Sequence, residues 1–190
     1  MTIMKINKSS ILEAVAILKR GGIVVYPTET AYALGADATN EKSITRIFKI
    51  KNRPKEKNLP VICHTKKQVE KFFELPAFGW KLWLKFYPKP LSIILKYKNK
   101  NLEAPVRISS CKTARDLARK SGRPITATSA NISGGETIYD SKDLIVEFSG
   151  KKYQPDLILD AGKLAKRPVS TIIKLNGEKI EVLRRGEVKI

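Results

Sequence analysis

The sequence predicts an α/β domain, a twisted mixed sheet flanked by helices, with residues 1–190 forming one such unit. Three observations carry this. Segments with apolar residues at helical spacing alternate with short, wholly apolar segments bounded by turn residues. Near the end, two alternating apolar runs flank Asn176-Gly177, a strong short-range hairpin signal. The chain has 190 residues, 42% of them hydrophobic, which is enough for one substantial core.

The elements follow in order. Ser10 to Glu13 has the spacing of a capping box, and Ile11, Val15 and Leu18 follow on one helical face until Gly21-Gly22. Ile23 to Tyr26 is a short apolar strand, and Pro27 to Gly35 reads as a loop. Asn40 caps a helix with Ile44, Ile47 and Phe48 inward, and Pro54 stops it. Leu59 to Cys63 is a buried strand, and Thr65 to Gln68 opens a third helix. Trp80, Trp83 and Tyr87 recur at near-helical spacing; core packing suits this stripe better than base stacking, and both readings stay open. Leu91 to Lys96 is a strand, Thr113 to Lys120 a helix closed by Gly122, and Ile125 to Thr128 another strand. Asp140 or Ser141 caps a helix carrying Leu144, Ile145 and Phe148. Leu157 to Leu159 is a strand, and the hairpin joins Ser170–Leu175 to Ile180–Leu183.

Composition narrows the function. Lysine and arginine number 37 against 18 acidic residues, a net charge of +19. Such a field attracts polyanions, nucleic acid first among them, although scattered lysines also fit a compositional bias. Cys63 and Cys111 are far apart and His64 is the one histidine, which argues against a structural zinc site, since that needs about four such ligands. Buried thiols in a reducing compartment fit best, with a disulfide left open. No apolar run reaches the ~20 residues of a membrane span. Glu13, Lys19 and Arg20 interrupt what could be an apolar leader. These features predict a soluble, cytoplasmic protein with no membrane partner.

Three segments carry chemistry. Thr126-Ala-Thr-Ser-Ala-Asn-Ile-Ser-Gly-Gly135 packs small hydroxyl and amide side chains between an apolar strand and two glycines. That composition cannot fill a core, but it offers donors, acceptors and close backbone approach to an anion. Tyr26 to Gly35 has the same character, and Lys51-Asn-Arg53-Pro54 supplies cations at a helix end. The common Gly-rich nucleotide loops are absent, so side chains must hold any phosphates. Ligands of α/β sheets bind at the carboxyl ends of strands, where Thr30, Ser129 and Asn131 fall. Each segment alone also fits a plain turn or a helix-dipole cation.

Together these segments, with Ser170-Thr-Ile172 and Leu183-Arg184, resemble the YrdC/Sua-type family of threonylcarbamoyl-AMP synthases, in family order and over nearly the whole chain. The resemblance implies a sheet with helices around a concave, positively charged cavity. It implies condensation of L-threonine, bicarbonate and ATP to threonylcarbamoyl-AMP and pyrophosphate. A downstream threonylcarbamoyl transferase complex would then modify tRNA. By motif, Lys51 and Arg53 are the catalytic cations, and with Ser129 and Asn131 they form the polar tetrad around ATP. Lys57, Thr137 and Arg184 match further ATP contacts. Thr30, Arg107, Ala127 and Ser170 match the threonine pocket, Arg107 as a fork for the carboxylate. His64 lies near a histidine some relatives place there, but its spacing is off and a structural role fits better. No residue set suggests a protein-held metal, and Mg²⁺ would arrive with ATP. The chain departs from the family at Lys89, Glu103, Ser109 and Arg185; the family's Arg-x-Pro reads Arg107-Ile-Ser109 here. The alternative is a non-catalytic module for double-stranded or structured RNA, including tRNA.

Overall fold

The computed structural model describes residues 1–53 and 58–190. Among the described residues, eleven strands form two mixed sheets rather than the single sheet expected. The first contains β1 (Thr2–Lys5), β9 (Leu157–Asp160), β2 (Val24–Pro27), β3 (Tyr32–Gly35) and β8 (Thr128–Ser129), in that order. The second runs β11 (Lys179–Arg184), β10 (Thr171–Asn176), β5 (Leu91–Lys96), β6 (Glu103–Ile108), β4 (Val61–Cys63), β7 (Ile125–Thr126).

The period of two along β2 explains how the first sheet is covered on both faces. Val24 and Tyr26 pack toward α1 (Lys8–Lys19) and α5 (Lys112–Ser121), with Leu18, Leu117 and Ile125. Ile23 and Val25 face α2 (Glu41–Ile50) and α6 (Ser141–Phe148), with Ile47, Leu144 and Phe148. The third cluster packs α3 (Lys66–Phe72) and α4 (Ala77–Phe86) on the second sheet through Phe73, Trp83, Ile93 and Val106. Each such fully buried side chain contributes about 1.5–3 kcal/mol.

Several local expectations are corrected. Helix α1 begins earlier, with Asn7 as cap and Ser10 as its reciprocal partner, because the Asn7 side chain reaches the Ser10 N–H at 2.9 Å. The Pro27–Gly35 segment is mostly not loop: Thr28 Oγ1 donates to Ala31 O at 2.7 Å, closing a tight turn that lets β3 pair back on β2. Strand β1 was unforeseen because its residues are mostly exposed and not alternating. Strand β6 was hidden by Pro105, which lies one residue before the β4 pairing begins at Val106. The hairpin loop is Gly177-Glu178, one residue later than expected, with Gly177 at φ +63°. The aromatic stripe divides: Trp83 is buried and donates its indole N–H to Leu91 O, whereas Tyr87 is exposed. Both cysteines are free thiols, Cys63 buried and Cys111 half-buried. Among the described residues no helix is long and apolar enough to cross a membrane.

The predicted strand Ile125–Thr128 breaks at Ala127, and this break organises the molecule. Ile125 and Thr126 pair with β4 in the second sheet, while Thr128 and Ser129 pair with β3 in the first. Ala127 bridges them, its N–H donating to Pro60 O at 2.7 Å. The chain crosses from one sheet to the other at the small-residue run, where a bulky side chain would block the cleft.

Candidate functional site

A cavity of about 390 Å³ opens between the two sheets at this crossing, a size that suits a small-molecule ligand. From the first sheet come Thr28, Thr30 and Tyr32, and from the crossing Ala127, Thr128 and Ser129. The second sheet contributes Pro105, Arg107, Ile172 and Arg184. Four arginines, Arg53, Arg107, Arg167 and Arg184, line it, and no carboxylate does among the described residues.

The end of α2 sets the directions of Lys51 and Arg53. Asn52 takes a left-handed conformation at φ +48°, and the Arg53 N–H returns to Phe48 O at 3.0 Å. This is a Schellman-type stop, for which asparagine is a common substitute for glycine. It turns Lys51 inward and Arg53 to the cavity. Lys51 is 3% exposed. Its Nζ donates to Ser129 O at 2.6 Å and Asn131 O at 2.7 Å, with Asn131 Oδ1 at 3.4 Å. Burial and the neighbouring Arg53 charge pull its pKa down to about 8, against the opposing pull of Glu147. Asn131 in turn donates both amide hydrogens within its own loop, to Ile132 O at 3.0 Å and Gly135 O at 2.7 Å. Glu147 accepts the Ile132 N–H at 2.6 Å. The Ser129–Gly135 loop is thus laced from beneath, and Ser129 is left on the cavity wall.

On the opposite wall, Arg184 donates Nε to Ser170 O at 3.0 Å and an Nη to Ser170 Oγ at 2.7 Å. Burial and the nearby Arg107 charge hold its guanidinium below the ordinary value. Two guanidiniums that repel each other across a cavity wall form a seat for an anion. Arg107 is itself buried and paired, its Nε on Glu29 Oε1 at 2.8 Å.

Of the residues expected from sequence, Thr30, Arg53, Arg107, Ala127, Ser129, Thr137, Ser170 and Arg184 share this one cavity. Lys51 and Asn131 do not line it: their polar atoms are engaged with the loop behind Ser129. His64 lies elsewhere, in a pocket with Trp80, Trp83, Tyr87 and Arg115, and its Nδ1 is 2.8 Å from Gln68 Oε1. Lys57 lies outside the described residues. Sequence reasoning missed Tyr139 and Arg167 on the wall. Arg167 stands three residues before Ser170 in an exposed segment, and that proximity was the available signal. It also missed Glu29, which stood unremarked beside Thr30.

A two-sheet α/β fold whose cleft gathers guanidiniums and hydroxyls has a lining suited to a small anionic ligand. The chain belongs to the Sua5/YciO/YrdC family, whose profile, described as telomere recombination, matches residues 16–186. It is 33% identical over 198 residues to a provisionally named threonylcarbamoyl-AMP synthase of Methanocaldococcus jannaschii, covering 99% of this chain and 93% of that protein. It is 32% identical over 194 residues to the threonylcarbamoyl-AMP synthase of Pyrococcus abyssi, covering 96% of this chain and 55% of that protein. The crystal structure of Pyrococcus abyssi Sua5 complexed with L-threonine matches with a TM-score of 0.86 at 31% identity, over 97% of this chain and 56% of that one. The chain therefore spans little more than half the length of the Pyrococcus protein.

Proposed function

We propose that the cavity synthesises threonylcarbamoyl-AMP from L-threonine, bicarbonate and ATP. The observation that carries this reading is the wall of four arginines and several hydroxyls without a described carboxylate. Such a lining suits a polyphosphate and an amino-acid carboxylate together. The relatives named for this activity, and the Pyrococcus protein with threonine bound, support it.

Arg53 and Arg184 hold the ATP phosphates, with Ser129 and Thr137 donating hydroxyls and Lys57 following Arg53 in the motif. Arg107 takes the threonine carboxylate, with Thr30, Ala127 and Ser170 shaping that pocket. Lys51 and Asn131 serve the same site from behind by fixing the loop that presents Ser129. The threonine amine attacks bicarbonate, losing water, to give a carbamate. A carbamate oxygen then attacks the α-phosphorus, and pyrophosphate leaves. The chain's contribution is positioning and charge stabilisation, the terms on which phosphoryl transfer depends. The described residues offer no cluster of His, Cys, Asp or Glu that could hold a metal. They do not fit a protein-held Mg²⁺, so the ion would come chelated by ATP and water. The product would pass to a threonylcarbamoyl transferase complex acting on tRNA.

Mass spectrometry of a reaction holding protein, ATP, L-threonine and bicarbonate tests this. Threonylcarbamoyl-AMP should form only when all are present. Folded protein that binds ATP but forms none would overturn the proposal.

A further inference from the structure

Glu29 is a carboxylate concealed behind the arginine-lined wall. It sits in the turn between β2 and β3, with its side chain 7% exposed and that of its partner Arg107 4% exposed. Arg107 Nε donates to Glu29 Oε1 at 2.8 Å. Ser109 donates its hydroxyl to Glu29 Oε2 and accepts the Cys111 N–H at 3.1 Å. Both carboxylate oxygens are thereby engaged. Burial alone would raise the carboxyl's pKa. The Arg107 charge and the Ser109 hydrogen bond outweigh it and hold Glu29 below the ordinary carboxylate range.

A guanidinium donates from Nε and from its two Nη nitrogens in a fixed plane. With Nε committed to Glu29, neither Nη has a protein partner among the described residues, and Arg107 lines the cavity. The arginine is therefore held by its stem side and offers its end to a ligand. A buried guanidinium without a counter-charge would be costly and free to turn away from the neighbouring Arg184. Glu29 removes both problems without using the donors that face the cavity. Ser109 belongs to the same device, because a proline at this position has no hydroxyl to close the second oxygen.

We propose that Glu29 and Ser109 are positioning residues, a buried lock that aims the two Nη donors of Arg107 at the carboxylate of an amino-acid substrate. This rests on the function proposed above. The lock makes a demand that simple structural support does not: its loss must weaken ligands that carry a carboxylate and spare those that lack one.

Titration calorimetry with L-threonine, L-threoninol (which has no carboxylate) and ATP tests this on the wild type, Glu29→Gln, Glu29→Asp and Ser109→Ala. Losing one charge-assisted constraint should weaken threonine binding about tenfold in Glu29→Gln and about threefold in Ser109→Ala. Affinities for threoninol and ATP should stay within about twofold of wild type, and Glu29→Asp, which keeps the charge, should recover most of the threonine affinity. Should Glu29→Gln fail to fold, Ser109→Ala carries the same comparison. Equal weakening of all three ligands, or none, would overturn the lock alone. A folded wild type that binds no threonine would overturn both the lock and the proposed function.

Discussion

Replacing Asn131 with alanine separates a ligand contact from a loop strut. Both amide hydrogens of Asn131 are committed to carbonyls of its own loop, Ile132 O at 3.0 Å and Gly135 O at 2.7 Å. The side chain has no donor left for a nucleotide. Its residue is 6% exposed, whereas Gly135 is exposed, so water can replace one of the lost partners. Ile132 O also keeps the Gly135 N–H at 3.0 Å. Two net hydrogen bonds at about 0.5–1.5 kcal/mol each give a loss of roughly 1–3 kcal/mol. For a chain of this size that lowers Tm by about 3–10 °C. Thermal unfolding followed by circular dichroism at neutral pH, without nucleotide, measures it. A Tm unchanged within about 1 °C, with nucleotide affinity lost, would show that the side chain works on the ligand and refute the strut.

Arg53 makes no side-chain bond among the described residues and lines the cavity. Arg53→Ala should therefore leave Tm within about 2 °C and weaken ATP at least about tenfold by equilibrium binding. Gly186→Ala would place a Cβ 2.2 Å from Val169 O and 2.7 Å from Thr171 N, backbone atoms that cannot give way. It should cost about 1–3 kcal/mol in urea unfolding and disturb the Ser170 wall. Lys51 has a pKa lowered from 10.5 to about 8 in the fold. Between those values the unfolded chain binds more protons, so this residue's contribution to stability rises with pH, by at most about 3 kcal/mol. The stability difference between wild type and Lys51→Met should shift toward wild type over that range, and a flat difference would contradict it. If the chain were instead an RNA-binding module, RNA affinity would fall steeply with salt and survive Ser129→Ala and Asn131→Ala in filter binding.

Most elements were legible because their signals are local. Asn40, Thr65 and Asp140 cap helices through side-chain bonds to nearby N–H groups, and Gly122 takes φ +72° at the end of α5. The division into two sheets was not legible. It depends on Ala127 accepting a chain crossing, and nothing in Thr126-Ala-Thr distinguishes that from a continuous strand. In the site, residue types announced the chemistry, but the direction of each side chain came from the tertiary fold. Lys51 and Arg53 look equivalent in sequence; the left-handed Asn52 between them sends one beneath the loop and the other to the cavity. Glu29 gave no signal because its partners Arg107 and Ser109 are 78 and 80 residues away.

The central claim is that one cleft between the sheets seats a nucleotide and an amino acid side by side. A crystal structure of this chain with L-threonine and a non-hydrolysable ATP analogue tests it most directly. The threonine carboxylate should lie on the Nη donors of Arg107 and the phosphates between Arg53 and Arg184. Nucleotide bound instead against Phe48 and Tyr153, or beside His64 and Trp80, with the cleft empty, would contradict it.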